Sequence, residues 1–118
     1  MIMKKSFKEK TLFDKRIQES EQIRNKYPDR IPIIVEKYKD CKLPDVDKCK
    51  YLVPNDMTMS KFIFVVRRRI ELDSSQALFI TINGIMAPAS QTVGELYDNQ
   101  KDEDGFLYVV YTSENTFG

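Results

Sequence analysis

The feature that most narrows the fold is a change of hydrophobic period along the chain, from two to about 3.6 and back. Met59, Phe62, Ile63, Val66 and Ile70 stand at i, i+3, i+4, i+7 and i+11. Such a stripe predicts one amphipathic helix, with Thr58 as its N-cap. Arg67, Arg68 and Arg69 fall at its C-terminal end, where positive charge meets the negative pole of the helix dipole. Around this helix lie runs at 30–36, 50–53, 77–82 and 106–111, short and rich in β-branched and aromatic residues, which read as strands. Pro32 lacks a donor and so belongs near the start of the first strand or where no ladder bond is needed. Asn83-Gly84 is the strongest turn signal in the chain. A second short helix is expected near 93–98. Ahead of the strands, Phe13, Ile17 and Ile23 fit an amphipathic helix closed by Pro28, and a short basic helix is expected near 6–11. The order is two helices and then β–β–α–β–α–β, the element order of a ubiquitin-like β-grasp. The fold class is α+β, a four-stranded mixed sheet with two additional N-terminal helices.

One domain is expected from 118 residues, since domains cluster near ~100–150 residues. Within it, 1–28 form a helical extension packed on a core at 29–112, and 113–118 form a tail. Histidine is absent, which removes the commonest general base and the commonest metal ligand. Cys41 and Cys49 are the only thiols, too few without imidazole to complete a four-ligand zinc site. An enzyme is therefore disfavoured, and no metal or catalytic residue is expected. No signal peptide, transmembrane run or common lipid-anchor motif is visible, so a cytoplasmic domain with two free thiols is expected.

Net charge is only +1 but lopsided. Residues 1–70 hold 18 Lys+Arg against 10 Asp+Glu, and 71–118 hold one lysine, Lys101, against eight acids. A basic face that prefers acidic partners follows. Acidic peptides fit it better than nucleic acid, whose binders carry a larger net positive charge; no nucleic acid is expected. The basic start (Lys4, Lys5, Lys8, Lys10) reads as a solvated face.

Longer motifs are then recognisable. Lys26-Tyr27-Pro28-Asp29-Arg30-Ile31-Pro32-Ile33-Ile34-Val35-Glu36-Lys37, Asp47-Lys48-Cys49-Lys50-Tyr51-Leu52-Val53-Pro54, Arg67-Arg68-Arg69-Ile70, Asp104-Gly105-Phe106-Leu107-Tyr108 and Glu114-Asn115-Thr116-Phe117-Gly118 occur in this order. In them the chain strongly resembles the autophagy-related ubiquitin-like modifiers, the GABA-receptor-associated protein and microtubule-associated light chain family, from about Phe7 to Gly118. The resemblance implies conjugation of the C-terminal glycine, here Gly118, to phosphatidylethanolamine on autophagosomal or vesicle membranes. It implies three partners for that cycle: an activating enzyme, a conjugating enzyme and a processing and de-conjugating cysteine protease. No cofactor is implied beyond the covalent lipid, and a monomer is expected in solution. Glycine suits the role, because without a Cβ it threads a narrow active-site channel. Family members commonly carry residues after this glycine; none follows Gly118 here.

The resemblance also implies a groove for peptides of the pattern aromatic-x-x-aliphatic in receptor and adaptor proteins, bound as an added strand. Its aromatic pocket would involve Glu19, Ile23, Pro32, Ile34, Lys50, Leu52 and Phe106. Its aliphatic pocket would involve Tyr51, Val53, Pro54, Met57, Phe62 and Val65. Arg30, Lys48 and Arg69 would join Lys50 in meeting acidic residues of the ligand. Alternation agrees in part: if Ile31, Ile33 and Val35 face the core, Pro32 and Ile34 face the other way. Met57 replaces a more usual Leu, which makes its pocket more adaptable. Thr81 interrupts a strand where relatives present an aromatic or aliphatic residue in a second docking surface, and that surface is not expected here. The alternative is a trafficking adaptor that uses the groove without conjugation.

Overall fold

A computed structural model describes residues 5–113. Its elements run α1 (Phe7–Lys10), α2 (Phe13–Lys26), β1 (Arg30–Lys37), β2 (Lys50–Pro54), α3 (Met59–Arg69), β3 (Phe79–Ile82), β4 (Ile85–Met86), α4 (Val93–Gln100) and β5 (Leu107–Thr112). The strands form one mixed sheet in the order β2-β1-β5-β3-β4. Its central pair, β1 and β5, is parallel, and the other neighbours are antiparallel. The expectation of four strands is thus corrected to five among the described residues. The extra strand is the return arm of the Asn83-Gly84 turn. Both turn residues have positive φ, 53° and 80°, as a tight hairpin demands.

Position in the sheet explains the sequence of β1. Five consecutive residues, 31–35, are buried. Such a continuous apolar run, rather than a strict alternation, marks a strand covered on both faces. Ile31, Ile33 and Val35 pack with Met59, Phe62 and Val66 of α3 in the main core. Ile34 packs on the opposite face with Phe7 and Phe106, flanked by Ile23 and Tyr108. Pro32 sits before the register point at which β5 joins β1, Ile33 opposite Leu107.

Thr58 caps α3, its hydroxyl accepting from the Lys61 N–H, and Thr92 caps α4 in the same way through Glu95. Ser6 and Glu9 close a reciprocal capping box on α1. In α2 the expected face turns inward but is only half-buried at Ile17 and Ile23. Phe13 is exposed, and the buried residues are Arg16 and Ser20. The reason is a polar lock: Arg16 Nε reaches Asp104 Oδ2 at 2.8 Å, with Asp104 1 % exposed. The same guanidinium donates to the Thr11 carbonyl, and the Ser20 hydroxyl donates to the Asp104 carbonyl. Asp104 also accepts from the Phe106 N–H and the Tyr108 hydroxyl. Burial first, and that bond second, raise the Tyr108 pKa far above its ordinary value.

Candidate functional site

Strand β2 lies at the edge of the sheet, with β1 as its one neighbour. An edge strand leaves alternate N–H and C=O groups without a ladder partner, a template for another extended chain. Register sorts its side chains by face. Leu52 stands opposite Pro32 and Lys50 opposite Ile34, on the side covered by α1 and α2. Tyr51 stands opposite Ile33 and Val53 opposite Ile31, on the side covered by α3. The β2 residues named for the two pockets therefore separate onto opposite faces of the strand, Pro54 excepted.

On the α2 side, Pro32, Ile34 and Phe106 are buried, Glu19, Ile23 and Leu52 half-buried, and Lys50 exposed. Lys50 Nζ pairs with Glu19 Oε1 at 2.7 Å, joining α2 to β2. Phe7, which sequence reasoning did not place here, packs edge-on against Phe106 with ring centroids 5.3 Å apart, and Lys50 Nζ lies 5.1 Å from its ring. Ile34 and Phe106 thus form the floor of this half, under Phe7. The signal for Phe7 is its position one residue after the Ser6 of a capping box, an apolar side chain in an otherwise charged helix.

On the α3 side, Tyr51 and Val53 are buried and Met57 and Val65 half-buried, whereas Pro54, named for this pocket, is exposed and by register shares the face of Lys50 and Leu52. Phe62 is fully buried and meets Tyr51 edge-on at 6.1 Å, so it supports this half from below. Met57 is fixed by its backbone: its N–H donates to Pro54 and its carbonyl accepts from Val93. The cations do not gather at one point. Lys48 precedes β2, its Nζ 5.6 Å from the Tyr51 ring. Arg69 Nη2 pairs with Asp47 at 3.2 Å. Arg30 lies at the other end of the groove, opposite Pro54. Past the start of β2 an open cleft continues between α1 and the β1–β2 connection, lined by Lys5, Lys10, Lys39, Glu36, Asp45 and Cys49. There Glu36 accepts from the Phe7 N–H and Asp45 pairs with Lys37, while Lys5, Lys10 and Lys39 are exposed. Gly118 and the segment 114–118 lie outside the described residues.

Such an arrangement has the form of a strand edge to which an extended segment can be added. In a strand, side chains alternate faces, so residues three apart point to opposite sides. An aromatic-x-x-aliphatic segment laid along β2 sends its first anchor to the α2 face and its second to the α3 face. The α2-side residues of β2 are Lys50, Leu52 and Pro54, and the α3-side wall extends past Val53 to Met57.

Comparison with known proteins finds one family throughout. A family model described as autophagy protein Atg8, ubiquitin-like, matches residues 15–118. Autophagy-related protein 8e of Arabidopsis thaliana is 48% identical over 112 residues, covering 95% of this chain and 92% of that protein. Autophagy-related protein 8 of Pichia angusta is 47% identical over 116 residues, covering 98% and 93%.

Proposed function

The chain belongs to the Atg8 family of ubiquitin-like autophagy proteins, and from that premise we propose that it is a lipid-conjugated modifier that recruits receptors through the β2 groove. Gly118 is the residue that forms the amide with phosphatidylethanolamine. The activating and conjugating enzymes and the cysteine protease of the family act on it, and the chain itself is their substrate rather than an enzyme. No helix among the described residues is long and apolar enough to cross a membrane, so the acyl chains of the lipid supply the attachment to autophagosomal membrane. Receptors and adaptors dock by aromatic-x-x-aliphatic segments, with acidic flanks drawn to Lys48, Lys50 and the basic cleft.

The observation that carries this reading is the open edge of β2 with a pocket wall on each face, matched to the three-residue spacing of the anchors. Its charge supports it too, since the basic excess lies in 1–70, where the groove is built. The test is reconstituted conjugation with the family's activating and conjugating enzymes, ATP and liposomes containing phosphatidylethanolamine. Mass spectrometry is expected to find an ATP-dependent lipid amide at Gly118 that Gly118→Ala lacks. No adduct, beside a homologue that forms one, would replace the modifier with an adaptor that uses the groove alone.

A further inference from the structure

We propose that the open cleft between α1 and the β1–β2 connection is the docking site of the chain's own C-terminal segment, residues 114–118. The starting observation is a gap in the cover of the sheet. Strand β5 lies inside the sheet, between β1 and β3, yet Val110 within it is only half-buried. Register places Val110 opposite Glu36 of β1. Alternation puts it on the face of Tyr108, beside the cluster of Phe7, Ile34 and Phe106. Helix α1 has four residues and ends at Lys10, so its cover stops short and the cleft opens beyond it. The volume of the cleft is about 1050 Å³, room for several residues rather than one side chain.

Charge decides what the cleft accepts. Each acid that lines it already has a partner. Glu9 accepts from the Ser6 N–H and Glu36 from the Phe7 N–H, while Asp45 pairs with Lys37 and Asp47 with Arg69. Lys5, Lys10 and Lys39 also line it, are exposed, and make no ion pair among the described residues. Cations left without a counter-charge call for an anionic occupant. Residues 1–4 carry Lys4 and no acid, the wrong sign. Residues 114–118 carry Glu114 and, in the unconjugated chain, the Gly118 carboxylate, with no cation among them. Phe117 adds an aromatic ring to set against the half-buried Val110 and Tyr38.

Position agrees with charge. Ser113, the last described residue, has its hydroxyl 3.9 Å from Cys41 Sγ. The N–H of Tyr38, in the cleft wall, donates to the Tyr111 carbonyl. The segment therefore leaves the sheet at the rim of the cleft. Five residues reach at most ~16–18 Å, against about 13 Å along residues 35–39 of the floor by strand rise. A tether this short gives the segment a roughly millimolar effective concentration, so ion pairs of the weak, exposed kind are enough to hold it. Docking is a property of the unconjugated chain and does not depend on the β2 groove. On the conjugation reading, drawing Gly118 to a membrane uncovers the cleft for the acidic flank of a receptor peptide.

The chain contains no tryptophan, so Phe117→Trp in the full, unconjugated chain puts a single fluorophore on the segment. Its emission is expected at shorter wavelength than that of a free 113–118 peptide bearing the same change, and at the same place at every protein concentration. Sodium chloride at about 1 M, where the screening length is ~3 Å, moves it to the value of the peptide. Adding Glu114→Lys does the same. So do Lys10→Glu and Lys39→Glu together, with the melting midpoint little changed because both side chains are exposed. Zero-length carbodiimide coupling of the wild-type monomer gives the second readout: carboxylates of 114–118 are expected to join Lys5, Lys10 or Lys39. Emission equal to that of the peptide overturns the docking. A shift that persists in Glu114→Lys, or carboxylates joined only to lysines outside the cleft such as Lys61, overturns the cleft as its place. A shift that grows with concentration overturns docking within one chain in favour of the tail of a second copy. None of these outcomes bears on conjugation, which is read separately as the lipid amide at Gly118.

Discussion

Gly105 is held to glycine by two independent constraints. Its φ is +89°, and a Cβ built there would fall against the Ser20 hydroxyl and within 3.0 Å of Ser20 Cβ. Ser20 has no room to retreat, because its hydroxyl bonds the Asp104 carbonyl inside the lock between α2 and the sheet. Gly105→Ala should therefore cost about 2–4 kcal/mol, read as a shift in the urea midpoint at constant slope. Gly84 also has positive φ, +80°, but nothing within 4 Å, so the same change there should cost only about 1 kcal/mol of backbone strain. Tyr111 gives a prediction in pH. It is fully buried, donates to the Pro44 carbonyl at 2.7 Å and accepts from the Val46 N–H at 3.1 Å. Burial pushes its pKa up to about 12, above about 10 in the unfolded chain. A raised pKa means stability that is whole below pH ~10 and lost as pH rises toward the folded value. Urea midpoints from pH 7 to 11 should fall above pH ~10, and less steeply in Tyr111→Phe. That variant should start about 1–3 kcal/mol lower at pH 7, because two backbone groups lose their partner. Gly105 and Tyr111 do not announce themselves in sequence: a glycine before a strand and a tyrosine within one are both ordinary, and their burdens come from segments 65 to 85 positions away.

Elements were legible where one physical term dominates. The stripe from Met59 to Ile70 is decided by burial alone, and α3 runs as expected with its Thr58 cap. The face assignment of Pro32 and Ile34 followed from alternation and agrees with the register against β2. Where two terms compete, the pattern was incomplete. Helix α2 buries an arginine and a serine because Asp104 waits for them, and hydrophobic periodicity does not register an ion pair. Helix α1 has four residues, too few to be stable alone. It exists because Phe7 fills the space beside Phe106 and Lys8 reaches Asp102 at 2.6 Å. Strand β4 has two exposed residues and no pattern; its signal was the turn before it. The contact between α2 and β2 yields a functional prediction. Glu19 and Lys50 pair at 2.7 Å while both are substantially exposed, so the pair contributes at most about 1 kcal/mol. It does occupy the cation nearest the aromatic anchor. Glu19→Gln should leave the melting midpoint nearly unchanged and strengthen binding of an acid-flanked peptide by roughly two- to fivefold, measured by titration. Weaker binding would mean that Glu19 shapes the pocket rather than competing for its lysine.

At the scale of the whole molecule the question is whether the N-terminal helices are an appendage or part of one cooperative unit. The two apolar clusters lie on opposite faces of the same strands: Ile33 and Val35 serve one, Ile34 the other. Strand β1 is neighbour to both β2 and β5, so loosening α1 and α2 would uncover Ile34 and Phe106 on the strand pair that carries the main core. The polar lock strengthens the link. Arg16 and Asp104 are both buried, with side chains 10% and 0% exposed. Breaking such a pair from one side leaves an uncompensated charge in a medium that solvates it poorly, and costs about 3–5 kcal/mol. Arg16→Met should therefore destabilise the entire domain, not α2 alone. Far-ultraviolet circular dichroism follows the helices. Near-ultraviolet dichroism follows the tyrosines, among them Tyr51, Tyr97 and Tyr111 on the α3 side. In one cooperative unit both signals shift to lower urea together and remain superimposable, the mark of a two-state transition. If α2 were an appendage, helical signal would be lost first while the tyrosine transition stayed at its wild-type midpoint. The geometry favours coincidence, because the Asp104 carboxylate that Arg16 holds also anchors the Phe106 N–H and the Tyr108 hydroxyl, and Tyr108 lies within β5. A charge left bare at that junction is felt by both layers of the molecule at once.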